Sequence, residues 1–426
     1  MKKHFVQRRL AAALSVGLIL ATAGCGAQGG APAGNGKTVE LTEALLCTAP
    51  EGVEAANAAQ AEQLTEFALK LTEETYKTGE NMLLSPLSAL MALGMVQNGA
   101  EGETLAEMEQ LFGVERGALN DAMYAYLQAA QESEKAALCP ANSLWITDRE
   151  EVSVREDFLK TVLTYYQAEV YETPMNDRTA KDINRWVKDN TDGMIEAIVG
   201  EIPVDTVMYL INALTFEGEW PVPYEASQVQ DGVFRTEEGG MVNVSMLHSD
   251  EHTYLENEAV TGVMKPYKGG KYAFVGLLPK DNRSLEETLV ALDGVALQKL
   301  LRETYQCTVI TRIPKFETAS AVKLNEPLQR LGMEKAFSPF DADFTGMGTS
   351  ENGAIHISEV LQKTYLSLGE KGTRAGAVTA IAAKDSCVLE VERPKEVFLD
   401  RPFLYMLIDT ETCVPFFIGA MCNPVQ

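Results

Sequence analysis

Histidine is nearly missing from this chain, with four copies in 426 residues, and His4 falls in the leading segment, leaving His248, His252 and His356. General acid–base chemistry and metal ligation both lean on that side chain. The motifs that carry other chemistries are missing as well: there is no GxSxG, Walker loop, dinucleotide fingerprint or HExxH. SxxK at residues 320–323 and KTG at residues 77–79 stand in the wrong order for a penicillin-recognising enzyme, and no SDN accompanies them. His248 and His252 are four apart, a ligand spacing on a helix, but residues 242–247 read as extended and no third ligand presents itself. No metal, no cofactor and no enzymatic activity is expected.

Basic residues are also scarce, 36 Lys and Arg against 61 Asp and Glu, and removing the four in the leading segment takes the formal charge from −25 to −29. That balance disfavours nucleic acid and anionic lipid surfaces as partners. Linkers are missing from the interior, which has no Pro/Gly/Ser tract, charge run or repeat. Roughly 390 residues therefore read as one large domain with a sizeable core. The seven cysteines, Cys25, Cys47, Cys139, Cys307, Cys387, Cys413 and Cys422, form no CxxC or zinc-type spacing. A disulfide framework is unnecessary at this size, so mostly buried free thiols are expected.

What is present begins with Lys2, Lys3, Arg8 and Arg9, an apolar run over residues 10–20, then Ala21, Thr22, Ala23 and Gly24 before Cys25. This has the form of an export signal over residues 1–24. Its apolar run is shorter than the roughly 20 residues a bilayer span needs. The small residues ending on Cys25 resemble the bacterial lipobox, in which that cysteine is acylated, although Thr22 stands where an aliphatic residue is usual. The expectation is an extracellular or cell-surface protein, held to a membrane only through lipid on Cys25, with residues 25–58 as anchor and flexible linker and 59–426 as the folded domain.

Leu64, Phe67, Ala68 and Leu71 follow helical spacing from Gln63, with Gly79 as a stop. Ser85 and Pro86 make an N-cap and first-turn pair ahead of Leu87, Leu90, Met91 and Met95. Thr104 with Glu107 has the form of a capping box. Residues 209–216, 272–278, 308–313, 402–408 and 415–421 are short apolar runs between turn residues and read as buried strands. Helices first and strands later indicate an α+β fold with large sheets.

Residues 81–113, NMLLSPLSALMALGMVQNGAEGETLAEMEQLFG, resemble the N-terminal helical signature of the serpins. NSLW (142–145), INRWVKDNTDG (183–193), INALTFEGEW (211–220), VMKPYKGGKYAFVGLLP (263–279), IPKFE (313–317), residues 331–337, DRPFLYMLID (400–409) and PFFIGAMCNP (415–424) follow in that family's order. The resemblance implies three β-sheets, eight or nine helices and an exposed reactive-centre loop near the C-terminus. It also implies a monomer that traps serine proteases. It places Trp220 where the central sheet first opens and Ser85, Ser88 and Asn212 where the sheet slides apart. The family's His-Lys pair ahead of the hinge reads Gln362 and Lys363 here; an amide still hydrogen-bonds but loses a histidine's pH sensitivity.

Glu370 onward, EKGTRAGAVTAIAA, resembles the hinge of inhibitory serpins: Glu370, Gly372, Thr373, Arg374, Ala375, Gly376, Ala377, Val378 and Thr379. A segment that enters a sheet as a central strand needs one clean face of period two. Thr373, Ala375, Ala377, Thr379, Ile381 and Ala383 supply one, while Arg374 and Lys384 lie on the other. No proline interrupts residues 372–387; one would remove a ladder hydrogen bond. The family commonly has Glu where Arg374 stands, on the face that can meet solvent. Family spacing from Glu370 puts the scissile bond between Ser386 and Cys387, suiting elastase-like or subtilisin-like pockets. Counting back from Pro402 lands near Val391 instead, and Lys384, followed by Asp385, is the second bait for trypsin-like enzymes. A papain-like cysteine protease target and a non-inhibitory binding module are the alternatives. The Cys387 thiol would be open to oxidation on an exposed loop.

Overall fold

The computed structural model describes residues 37–132, 136–149, 152–203, 205–280, 283–351, 354–373 and 393–425. The expectations for the export signal, Cys25, and the loop from Arg374 through Ala375, Gly376, Ala377, Val378, Thr379, Lys384, Asp385, Ser386 and Cys387 lie outside those residues.

The first helix, Ala58–Thr75, starts five residues before Gln63 because Asn57 and Gln60 close a reciprocal capping box ahead of the apolar stripe. Helix Pro86–Gln97 is capped by Ser85, has Pro86 in its first turn, and is buried at every residue. It runs between the two large sheets, packed on strand Met208–Glu219 and on strand Pro415–Met421. Gly94 makes the close approach there: a Cβ at this position would fall 2.5 Å from Tyr166 Oη.

Thr104 and Glu107 do not cap helix Gly102–Phe112, whose N-cap Glu101 makes no side-chain capping hydrogen bond. Thr104 Oγ1 accepts from Asp343 N–H at 3.0 Å, and the Glu107 carboxylate accepts from Glu334 and Lys335 N–H at 2.9 and 2.8 Å. The pair fastens a distant loop to the helix instead.

Nine α-helices and three sheets are found among the described residues. The main sheet has seven strands in the order Val39–Glu40, Glu169–Thr173, Ala136–Thr147, Met208–Glu219, Gly372–Thr373, Glu359–Gly369, Phe316–Lys323. A nine-stranded sheet carries Tyr272–Pro279, Phe403–Asp409 and Pro415–Met421 at its buried centre, and Gly348–Thr349 pairs with Ser153–Val154 in a small third sheet. The five apolar runs read as strands are all strands.

Two expectations need adjusting. Within the span read as linker to residue 58, Val39–Glu40 is an edge strand on Glu169–Thr173, and Leu41 and Leu45 pack against the core. A two-residue strand is too short to show a period of two. Among the thiols, Cys413 and Cys422 are buried, Cys139 and Cys307 are partly covered, and Cys47 is exposed.

Tyr166 is fully buried and donates to Asn120 Oδ1 at 2.7 Å, so it cannot swing aside for a new methyl at position 94. Gly94→Ala is expected to destabilise the fold by about 1–3 kcal/mol, the usual cost of overpacking. Denaturant unfolding checks this, and an unchanged midpoint contradicts it.

Candidate functional site: a gap in the main sheet

Strands Met208–Glu219 and Glu359–Gly369 run parallel and pair from Tyr209 with Glu359 to Leu214 with Thr364. Beyond that the two strands part. Gly372–Thr373 lies in the opening, antiparallel to both: Thr373 opposes Gly218 on one side and Leu368 on the other. The chain doubles back from Gly369 through Glu370 and Lys371 and lodges its next two residues as the start of a strand.

Gly372 is required for that turn. Its φ is +141°, and a Cβ would overlap the Gly218 carbonyl oxygen. Thr373 is 1% exposed and shares a 2.5 Å hydrogen bond with the Tyr267 hydroxyl. Trp220 binds the turn twice, its backbone N–H to Lys371 O at 2.8 Å and its indole N–H to Gly369 O at 3.0 Å. Tyr224 N–H donates to Glu370 O at 2.9 Å. The Trp220 ring is stacked on Tyr267, centroids 4.5 Å apart and planes 6° off parallel. Lys265 lies over the rings of Trp220 and Tyr224 at 5.1 and 4.9 Å and pairs with Glu251 at 2.5 Å in the buried layer beneath. At the rim Lys315 and Glu370 form an ion pair at 2.6 Å, and the lysine's hydrogen bond holds the Glu370 carboxyl below the usual range.

The paired end of the gap is a buried polar knot. The Gln362 side chain spans Ser85 twice, accepting its N–H and donating to its C=O, each at 2.8 Å. Ser85 Oγ donates to Phe416 O at 2.7 Å and accepts from Ser88 N–H at 3.3 Å. Asn212, which opposes Gln362 in the ladder, donates through Nδ2 to Asn142 Oδ1, and Asn142 donates to Tyr166 O at 3.1 Å. Asn212 Oδ1 and Ser88 Oγ are buried with no hydrogen-bond partner among the described residues.

The structure thus gathers Ser85, Ser88, Asn212 and Gln362 at the closed end, and Trp220, Glu370, Gly372 and Thr373 at the open end. Residues not singled out from sequence complete both groups: Tyr267, Lys265, Glu251, Tyr224 and Lys315 above, Asn142 below. Lys265, Tyr267 and Lys315 sit inside the blocks KPYKGG and IPKFE, which were the available signal. His248 and His252 lie on strand Met241–Glu256 rather than a helix, and burial, then Arg312, pushes the His248 imidazole down. No group of His, Cys, Asp or Glu among the described residues is arranged to hold a metal.

The arrangement is a two-residue strand begun in the opening between two parallel neighbours.

A family model described as serpin (serine protease inhibitor) matches residues 62–424. An uncharacterized serpin-like protein of Thermococcus kodakarensis is 29% identical over 370 residues, covering 85% of each chain. Leukocyte elastase inhibitor A of Mus musculus is 29% identical over 380 residues, 84% of this chain and 98% of that one. The crystal structure of a thermophilic serpin, tengpin, in the native state superposes with a TM-score of 0.85 at 35% identity, covering 91% of this chain and 100% of that one.

Two outcomes follow at the open end. Gly372→Ala should eject the turn, exposing Trp220 and shifting its emission to the red; unchanged emission contradicts the latch. Because the Glu370 carboxyl is held below its ordinary value, its contribution is present above the ordinary carboxylate range and lost as pH falls through the lowered folded value. As pH falls below the ordinary carboxylate range the rim pair should release and change Trp220 emission, and Glu370→Gln should abolish that acid step. An identical acid step in the variant contradicts the assignment.

Proposed function

The chain belongs to the serpin family, whose members are typically protease inhibitors rather than enzymes, and from that premise we propose that it traps serine proteases as a suicide substrate. The observation that carries the reading is the lodged pair Gly372–Thr373, antiparallel to both neighbours at the mouth of an otherwise closed gap. A strand that has begun can continue. The period-two face from Thr373 to Ala383, small or apolar and free of proline, is composed for that continuation.

The protease's serine attacks the carbonyl of Ser386, and the Ser386–Cys387 peptide bond breaks. The new amine of Cys387 departs with the C-terminal part of the loop, while Ser386 is left as an ester on the enzyme. The freed segment then inserts and carries the acyl-enzyme along before water can release it. Displacing catalytic groups by about 1 Å costs on the order of a hundredfold in rate, so a dragged protease is arrested. Serine at the bait position directs the inhibitor to elastase-like or subtilisin-like enzymes. We also read residues 1–24 as an export signal and Cys25 as a lipid attachment point, which put the inhibitor at the cell surface.

A binding module of the same family would tolerate a large charge on the buried hinge face, where Thr373 stands. Incubation with elastase-like, subtilisin-like and trypsin-like proteases, followed by denaturing gels and mass spectrometry, tests the reading. The expected result is a denaturant-stable adduct with the first two and a cut after Ser386. Thr373→Arg, which puts a charge on a residue 1% exposed, should be cut at the same bond without forming adduct. Cleavage without adduct in the unaltered chain overturns the inhibitor reading.

A further inference from the structure

Helix Asp177–Asn190 buries Thr179, Ala180, Ile183, Trp186 and Val187, packed with Tyr209, Ile211 and Ala213 of the main sheet. Its opposite side is exposed and carries Arg178, Lys181, Arg185 and Lys188. At 3.6 residues per turn and 1.5 Å rise, these four fall within an arc of about 80° and make a row about 15 Å long. The helix also has three aspartates, which stand beside the row rather than in it. Asp177 and Asp189 lie at its two ends, and Asp182 is turned aside, accepting from the Thr38 hydroxyl at 2.8 Å and pairing with Arg185 at 3.4 Å. On other helices Lys70, Lys160 and Lys299 each pair with a glutamate four residues away. Arg178, Lys181 and Lys188 form no ion pair among the described residues.

The chain as a whole is strongly acidic, which argues against an anionic partner at long range. Charges more than about 8 Å apart are largely screened at physiological ionic strength, however, so a surface touching this row is governed by the row. The row also lies beside the point where the leading segment joins the fold. Thr38 is bonded to Asp182 on this helix, and Lys37 next to it is exposed and adds a fifth cation. Cys25 is 37 − 25 = 12 residues before Lys37, no more than about 43 Å of extended chain. Lipid on Cys25 would hold the helix within reach of the membrane surface.

We propose that the exposed row on helix Asp177–Asn190 is a docking surface for anionic phospholipid headgroups, a second hold on the membrane that orients the domain. The choice of occupant rests on the surface-tether reading above. The orientation follows from the ladder. Val39 opposes Glu172, Glu172 opposes Ile146 and Ile146 opposes Met208, while Thr373, the root of the loop, opposes Gly218. The tethered end is therefore 218 − 208 = 10 residues from the loop's root, about 33 Å along the strands. A domain held at this end keeps the root of its loop at the far end of the sheet, clear of the lipid and open to a protease.

The test is co-sedimentation of the full chain with vesicles of phosphatidylcholine alone, or of equal parts phosphatidylcholine and phosphatidylglycerol, at low and high salt. Arg178→Gln/Lys181→Gln/Lys188→Gln should bind the anionic vesicles about tenfold more weakly than the unaltered chain, with the difference closing in high salt and missing on phosphatidylcholine. Lys70→Gln/Lys160→Gln/Lys299→Gln makes the same change in net charge elsewhere and should bind as the unaltered chain does. The leading segment is common to all three chains, so its own contribution cancels. Equal binding by the two triple variants overturns the proposal and leaves the row a solvated helix face. Dextran sulfate binding through the row while the vesicles do not bind overturns it too, in favour of a soluble polyanion. The tether is read separately: if Cys25→Ser leaves the membrane-bound fraction in cells unchanged, the tether reading falls, and the vesicle comparison still decides the row.

Discussion

At the centre of the main sheet two strands that run the same way are bonded to each other over six residue pairs and then separate. Parallel ladders are slightly weaker per residue than antiparallel ones, and a strand placed between two parallel neighbours can be antiparallel to both. The sheet is thus complete in its hydrogen bonding at one end and still has room for a better-bonded arrangement. Gly372 and Thr373 already occupy the first two positions of that arrangement. On the proposed reading, adding about ten more at roughly 1 kcal/mol net per hydrogen bond would give on the order of 10 kcal/mol, comparable to the whole stability of a domain.

On the reading proposed above, such a molecule would be held short of its most stable state by something other than equilibrium, and the uncut peptide bond would supply that hold. The contacts around Trp220 hold the first two residues in the opening, and the knot around Gln362 lies where the two strands stay paired.

How much of this was legible in the sequence follows from the range of the interactions. Ser85 and Pro86 announce their helix because capping is local, and the five apolar strands announce themselves by composition. Thr104 and Glu107 mislead because the same side chains that close a capping box also bind backbone amides of a loop more than 200 residues away. The latch was less accessible still. Lys265 meets Glu251 through the register of neighbouring strands, and Lys315 meets Glu370 across 55 residues, separations that no spacing rule reports. The hinge expectation rests on one small face of period two, itself a sequence property, and past Thr373 it lies outside the described residues.

Trapping a protease by strand insertion requires the two flanking strands to part. Ala213 and Lys363 oppose each other across the closed ladder, and cysteines at both positions would staple it. The oxidised Ala213→Cys/Lys363→Cys protein should be cut by an elastase-like or subtilisin-like protease but form no denaturant-stable adduct, and reduction should restore the adduct. An oxidised, stapled protein that still traps its protease would contradict the account.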